Sequence, residues 1–348
     1  MRSVLTITLL FAFCIGITRF ISSCKKDDPH SSLTELDRII PDGFPAPAYN
    51  FQDNPVTQEG FELGRKLFYD GRLSIDNQHS CASCHQQIAA FGTFEHDRSH
   101  GVNGTHTLRN APGLFNLAWN TSFHWDGEFN SLFAEAMHPL HGSNEMGETW
   151  NGIIRKLEGD ETYRERFKEV FRYPVIRPEY VLKALAQFTG TLISANSKYD
   201  RYKKGLVNFF PPEENGYQVF KAKCATCHPE PLFTDFSYRN IGLPLDNFLK
   251  DHGRMRVTGL SQDSLKFKVP SLRNVGISSN YMHDGRFATL MQCINHYRNN
   301  VQPGSNVDPL VAGGITMTDA QANDLAWFLR TLTDSSFITD PRLAEPPR

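Results

Sequence analysis

Cys81-Ala82-Ser83-Cys84-His85 and Cys224-Ala225-Thr226-Cys227-His228 decide how this chain is read. Each places two thiols one helical turn apart and follows them with an imidazole. Thiols so spaced form thioethers to the two vinyl groups of a haem, and the adjacent His then lies under the iron as its proximal ligand. A composition of 7 Cys and 13 His in 348 residues would yield about 0.005 such motifs by chance. Disulfides are the competing use of Cys in an exported protein, and the motif spacing argues against them. A thioredoxin-like pair is disfavoured because neither stretch reads as a strand-to-helix redox turn. Two covalently bound haem c groups are therefore expected, held by Cys81, Cys84, Cys224 and Cys227 under His85 and His228. Cys293, outside both motifs, reads as a small buried apolar residue.

The motifs sit inside a longer repeat. Gly64-x-x-Leu67-Phe68 precedes the first and Gly216-x-x-Val219-Phe220 the second. Leu108-Arg109-Asn110 and Leu272-Arg273-Asn274 follow. Next come His124-Trp125-Asp126-Gly127-Glu128 through Leu132, and Met282-His283-Asp284-Gly285-Arg286 through Leu290. One haem-binding unit present twice is the simplest account. Between the copies, Pro178 to Ser197 carries Val181, Leu182, Leu185, Phe188, Leu192 and Ile193 at helical spacing, closed by Asp200 to Gly205. A final helix is predicted over Asp319 to Leu332, with Ala322, Leu325, Ala326 and Leu329 inward and Phe328 beside them. Alternating strand patterns are scarce. The predicted fold is mainly α: two cytochrome-c-like haem domains with long loops and haems near the domain interface. Residues 46–204 form the N-terminal domain and 205–348 the C-terminal one, with Pro211-Pro212 near the boundary.

Residues 1–24 read as a removable signal: Arg2, an apolar run from Val4 to Ile17, then Ile21-Ser22-Ser23-Cys24. The last four resemble a bacterial lipobox, which makes Cys24 the lipid site, with 25–45 as a flexible tether. A plain secretory signal with an incidental Cys is the alternative. Either way the mature protein is expected outside the cytoplasm, as a periplasmic or cell-envelope lipoprotein in the first case. With 36 basic and 38 acidic residues the chain has no basic excess that would suit nucleic acid.

The repeat allows the two distal sides to be compared. Seven residues beyond Leu290 stands Tyr297; seven beyond Leu132 stands Pro139. A phenolate can ligate ferric iron and proline cannot, so haem two is expected closed by Tyr297 and haem one open. Met282, Met291 and His296 are alternative ligands for haem two. An open iron can bind peroxide, whereas a closed one only passes electrons. Cleaving the O–O bond needs a group that carries a proton from the inner to the outer oxygen. Glu145, six residues past Pro139, is the candidate, against the plainer reading of a surface Glu. Trp125 occupies the position of His283 in the other copy. It is either a carrier of charge between the haems or a core Trp.

Over about residues 55–335 the chain resembles the bacterial dihaem cytochrome c peroxidases, and more closely their MauG-like branch. Gly71-Arg72-Leu73-Ser74, Arg109-Asn110-Ala111-Pro112, Trp125-Asp126-Gly127, Glu145-Met146 and Tyr281 to Arg286 carry the likeness. The resemblance implies a peroxidatic N-terminal haem, a C-terminal haem where electrons enter, an interposed tryptophan matching Trp125 and a distal acid matching Glu145. It also implies one calcium ion between the domains, held by Asn110 and by carbonyls near Ser278 and Asn280, and it allows a homodimer. Tyr297 departs from the Met of the main branch. Val102 stands where that branch has a removable His, with His100 two residues away as a shifted ligand. Glu135 stands where Gln is usual. His106, His124 and His138 receive no role and default to surface or supporting positions.

The expected activity is reduction of hydrogen peroxide to water with electrons from a small c-type cytochrome or similar periplasmic donor. MauG-like oxidation of a partner protein and a non-catalytic dihaem electron carrier are the alternatives.

Overall fold

The computed structural model describes residues 33–37 and 40–347. The signal (1–24), with Cys24, and the first part of the 25–45 tether lie outside the described residues. Among these residues helices dominate, joined by long loops, and the only ladder is a two-stranded antiparallel ribbon of Tyr238–Arg239 and Phe267–Lys268. No helix among them is long and apolar enough to cross a membrane.

Two helix pairs organise the molecule. Gln58–Phe68 packs on Pro178–Thr189, and Pro211–Lys223 packs on Asp319–Arg330. The crossing points explain the repeated glycines. A Cβ on Gly64 would collide with the carbonyl oxygen of Ala184 and with Phe188 Cβ. A Cβ on Gly216 would collide with the carbonyl oxygen of Asp324 and with Phe328 Cβ. The same close approach thus occurs twice, each time one turn before the aromatic that fills the crossing, Phe68 or Phe220. Gly216→Ala should lower the denaturant midpoint. Overpacking costs about 1–3 kcal/mol, more than the roughly 1 kcal/mol alanine returns in helix propensity. An unchanged midpoint would mean that the helices separate without loss.

Two buried clusters follow. The first runs from Phe51 to Leu192 and includes Phe68, Phe91, Phe167 and Phe188, with Leu232, Phe337 and Leu343 joining from far along the chain. The second is built on Tyr199, Tyr217, Phe220, Phe233, Phe328 and Leu332. Phe337, on the short Ser335–Ile338 helix, meets Phe91 at 5.6 Å, so the C-terminal tail closes over the first cluster.

The predicted inner face of the last helix is buried, and Phe328 is more deeply buried than any of the four residues placed there. The helix expected over 178–197 ends at Thr189 instead. Gly190 caps it, and the backbone beyond turns to other partners: Asn116 N–H donates to the Leu192 carbonyl, and Ser194 N–H to Asn116 Oδ1. Lys198–Lys203 then forms a short helix of its own, capped reciprocally by Ser197 and Asp200.

Candidate functional site

Each Cys-x-x-Cys-His motif opens onto its own cavity. Cys81–Cys84 is a four-residue helix, and Cys81, Cys84 and His85 line a cavity of 330 Å³. The second motif follows the end of the Pro211–Lys223 helix; Cys224, Cys227 and His228 line a cavity of 500 Å³. The two imidazoles are held alike. His85 Nδ1 lies 2.8 Å from the Phe91 carbonyl, and His228 Nδ1 lies 3.0 Å from that of Phe233. A carbonyl only accepts, so Nδ1 carries the proton and Nε2 keeps its lone pair for a metal. Thiols, oriented imidazole and a mostly apolar wall fit a covalently held haem at both places.

Trp125 lines both cavities. Its Nε1–H donates to the Asn110 carbonyl at 2.8 Å, and the Asn110 N–H donates to the His283 carbonyl at 2.8 Å. Trp125 and His283, equivalent in the repeat, are thus joined through the backbone of one residue, Asn110. Neighbouring ion pairs fix the loop. Buried Asp126 pairs with Arg109 at 2.8 Å and Arg256 at 2.6 Å, and Arg109 also pairs with Asp251 at 2.6 Å. Lys268 donates its N–H to the Trp125 carbonyl, and burial lowers its ammonium to about 8.

Glu128, Glu135, His138, Pro139 and Glu145 also line the first cavity, with His124 among them. Val102 is buried, and its N–H donates to the Glu145 carbonyl at 2.8 Å, which holds the two loops together. His100 also lines the cavity, with its ring against His96 and His106. Burial pushes the Glu145 carboxyl above the usual carboxylate range; His124 counters this, and Glu135 and Glu128 reinforce it. Burial opposes ionisation of Glu135 too, but His124 outweighs it and holds that carboxyl low. Burial disfavours the charged form of His124, and Glu135 reverses the balance and raises it. His124 and His138, which sequence reasoning left without a role, are therefore part of this wall. Their proximity depends on the turn from Trp125 to Leu132, and no local spacing announces it.

In the second cavity, Tyr297 and Met282 are lining residues, whereas His296 and Met291 are not. The His296 Nε2 is engaged by the Ile241 carbonyl at 2.9 Å. Burial raises the Tyr297 phenol well above its ordinary value, so a phenolate there needs a cation beside it. Cys293 is buried, as expected. Asn110, Ser278 and Asn280 line a third cavity of 180 Å³ together with Trp125, and no carboxylate is among its lining residues. The Asn110 amide donates to the Asp97 carbonyl, and Ser278 Oγ donates to the Asn280 carbonyl.

Comparison with known proteins agrees with this geometry. The family model described as di-haem cytochrome c peroxidase matches residues 58–208. The methylamine utilization protein MauG of Methylorubrum extorquens is 31% identical over 99% of this chain and all of its own length. The cytochrome c551 peroxidase of Nitrosomonas europaea is 36% identical over 69% of this chain and 73% of its own. The crystal structure of a MauG-like protein associated with microbial copper homeostasis superposes with a TM-score of 0.82 at 31% identity, covering 90% of this chain and all of that one. With two haem-attachment cavities bridged by one tryptophan, this chain belongs to the di-haem cytochrome c peroxidase and MauG family.

Proposed function

We propose that this protein is a dihaem c-type peroxidase that reduces hydrogen peroxide to two waters, taking two protons and two electrons from outside. The observation that carries the reading is the asymmetry of the cavities. The first is lined by Pro139 and the carboxylates around Glu145, while the second has Tyr297. His85 with Cys81 and Cys84 would hold one haem, and His228 with Cys224 and Cys227 the other, with Tyr297 able to supply a further ligand in the second cavity. Bound haem supplies iron that accepts a peroxide oxygen and exchanges electrons.

The chain does the rest. Glu145 would take the proton from one peroxide oxygen and deliver it to the other as the O–O bond breaks; the two electrons from the donor and two further protons turn both oxygens into water. Val102, through its bond to the Glu145 backbone, keeps that loop in place. Trp125, between the cavities, carries charge from one to the other, with Asn110 fixing the indole. A small c-type cytochrome or similar periplasmic protein delivers electrons at haem two. Asn110, Ser278 and Asn280 would hold a calcium ion through neutral oxygens, a ligand type that suits a hard cation. Residues 46–204 and 205–348 are the two haem-binding domains. Lipidation of Cys24 after export would tether the protein to a membrane surface.

Tyr297 also favours a second reading, oxidation of a partner protein, in line with the relative named MauG. Low-temperature EPR of the resting diferric protein, followed by peroxide, tests the open site. One high-spin and one low-spin signal are expected, the high-spin one lost on adding peroxide. Two low-spin signals indifferent to peroxide would overturn the open site and leave either a peroxidase that must first be reduced, with His100 over the first haem, or an electron carrier.

A further inference from the structure

The wall of the first cavity holds a second arrangement that peroxide chemistry does not require. His124 Nδ1 lies 3.6 Å from Glu128 Oε2, and His138 Nδ1 lies 3.8 Å from the same oxygen. Ligand atoms of His124, Glu128 and His138 all fall within 4.8 Å of one another. The two imidazole planes stand at 87°, with centroids 5.2 Å apart. Metal–nitrogen and metal–oxygen bonds of about 2.0–2.1 Å in a tetrahedral site put ligand atoms about 3.3–3.4 Å apart. The two nitrogen–oxygen separations need closing by only a few tenths of an ångström, and the two imidazole ligand atoms lie within 4.8 Å of each other.

The outer ring nitrogens make the case stronger. His124 Nε2 faces Glu135 Oε1 at 3.7 Å, and His138 Nε2 faces Glu145 Oε1 at 3.5 Å. Each imidazole thus turns Nδ1 toward the shared Glu128 and Nε2 toward a carboxylate of its own. A metal-bound histidine characteristically gives its second N–H to a carboxylate, which fixes its tautomer and makes it a better donor. Here a carboxylate stands near the second nitrogen of each imidazole, at 3.7 and 3.5 Å, and a shift of some tenths of an ångström would make each a hydrogen bond. Three carboxylates surround two imidazoles, so the cluster favours a cation. Arg256 opposes it with one positive charge, and its Nη2 bonds Asp126 Oδ2 and Glu128 Oε2 at 2.6 Å each; Oε2 is the oxygen that both imidazoles face, so an ion would use its remaining lone pair on a carboxylate that Arg256 holds in place.

The repeat shows that two of the three residues are particular to the first cavity, whereas His138 aligns with His296. Where the first copy has His124 and Glu128, the second copy has Met282 and Arg286. Arg286 pairs with the buried Asp284 of its own turn. In the first copy that duty for Asp126 falls to Arg256, from a distant segment, which frees position 128 for a carboxylate.

We infer that His124, Glu128 and His138 bind a divalent first-row transition ion of the zinc or copper type, with a fourth position left open. Imidazole nitrogen and carboxylate oxygen suit those ions, and copper(II) is held most tightly in such sets. The inference stands whether or not the first haem reacts with peroxide, because it is read from metal binding.

Holoprotein freed of loose metal with a chelator is titrated with Zn²⁺ by calorimetry, and with Cu²⁺ by EPR. One ion per chain is expected, with nitrogen hyperfine structure from two imidazoles on the copper signal. Glu128→Gln, which preserves volume, and His138→Ala should each weaken binding by about 100-fold or more, since even outer partners of a site cost 10–100-fold. Unchanged haem absorption shows that each variant is folded. His100 lines the same cavity but has its ring against His96 and His106 and not in the cluster, so His100→Ala should leave the affinity unaltered. Failure of the wild type to bind either ion at micromolar concentration would overturn the assignment and leave the alternating carboxylates and imidazoles as a proton path only. So would an affinity that falls in His100→Ala but not in Glu128→Gln.

Discussion

Glu145→Gln should lower peroxidase turnover by about 10²–10⁴-fold, the range lost when a positioned proton carrier is removed. The substitution keeps shape and hydrogen-bonding capacity but cannot accept and release the proton during O–O cleavage. The backbone of Glu145 is tied to Val102 and to the Gly142 carbonyl, so the loop should keep its place. KM for peroxide and the haem absorption bands should change little, which locates the loss in the chemical step. Turnover equal to that of the parent would remove Glu145 from the mechanism and turn attention to Glu135 and His124 on the same wall.

Arg273→Ala should cost about 3–5 kcal/mol of stability, the cost of leaving a buried charge without its partner. The Arg273 side chain is wholly buried and the Asp200 side chain nearly so. Nη1 and Nη2 bond the two Asp200 oxygens at 2.9 and 2.8 Å, and Nε donates to the Pro231 carbonyl at 2.9 Å. Asp200 in turn caps the Lys198–Lys203 helix through Ser197. Removal of the guanidinium therefore strands a carboxylate and loosens the segment between the two Cys-x-x-Cys-His motifs. Thermal or denaturant unfolding of the haem-loaded protein measures the effect. A loss below about 1 kcal/mol, typical of an exposed pair, would mean that water reaches Asp200 in the folded state. The equivalent residue, Arg109, is spent differently, on Asp126 and Asp251 beside Trp125. The repeat predicts two arginines at matching places but not that one holds a core and the other the loop carrying Trp125.

What the sequence determined by itself is the chemistry that rests on fixed local spacing. Thioether attachment needs two thiols and an imidazole within five residues, so both haem sites were legible. The repeat aligned Trp125 with His283 and Tyr297 with Pro139, because two copies of one unit carry their own reference. Helix ends were less legible. Leu192 and Ile193 continue the apolar period past Thr189, yet Asn116, far away in sequence, takes the backbone of that segment. Only the tertiary structure decided which polar side chains meet. His124, Glu128, Glu135, His138 and Glu145 are spread over two turns and two short helices, and each alone reads as a surface group. Their positions follow from how the loop after Trp125 is pinned by Asp126, Arg109 and Arg256. Two of those ion pairs, Asp126–Arg256 and Arg109–Asp251, join segments more than a hundred residues apart, a separation at which neither period nor spacing carries information.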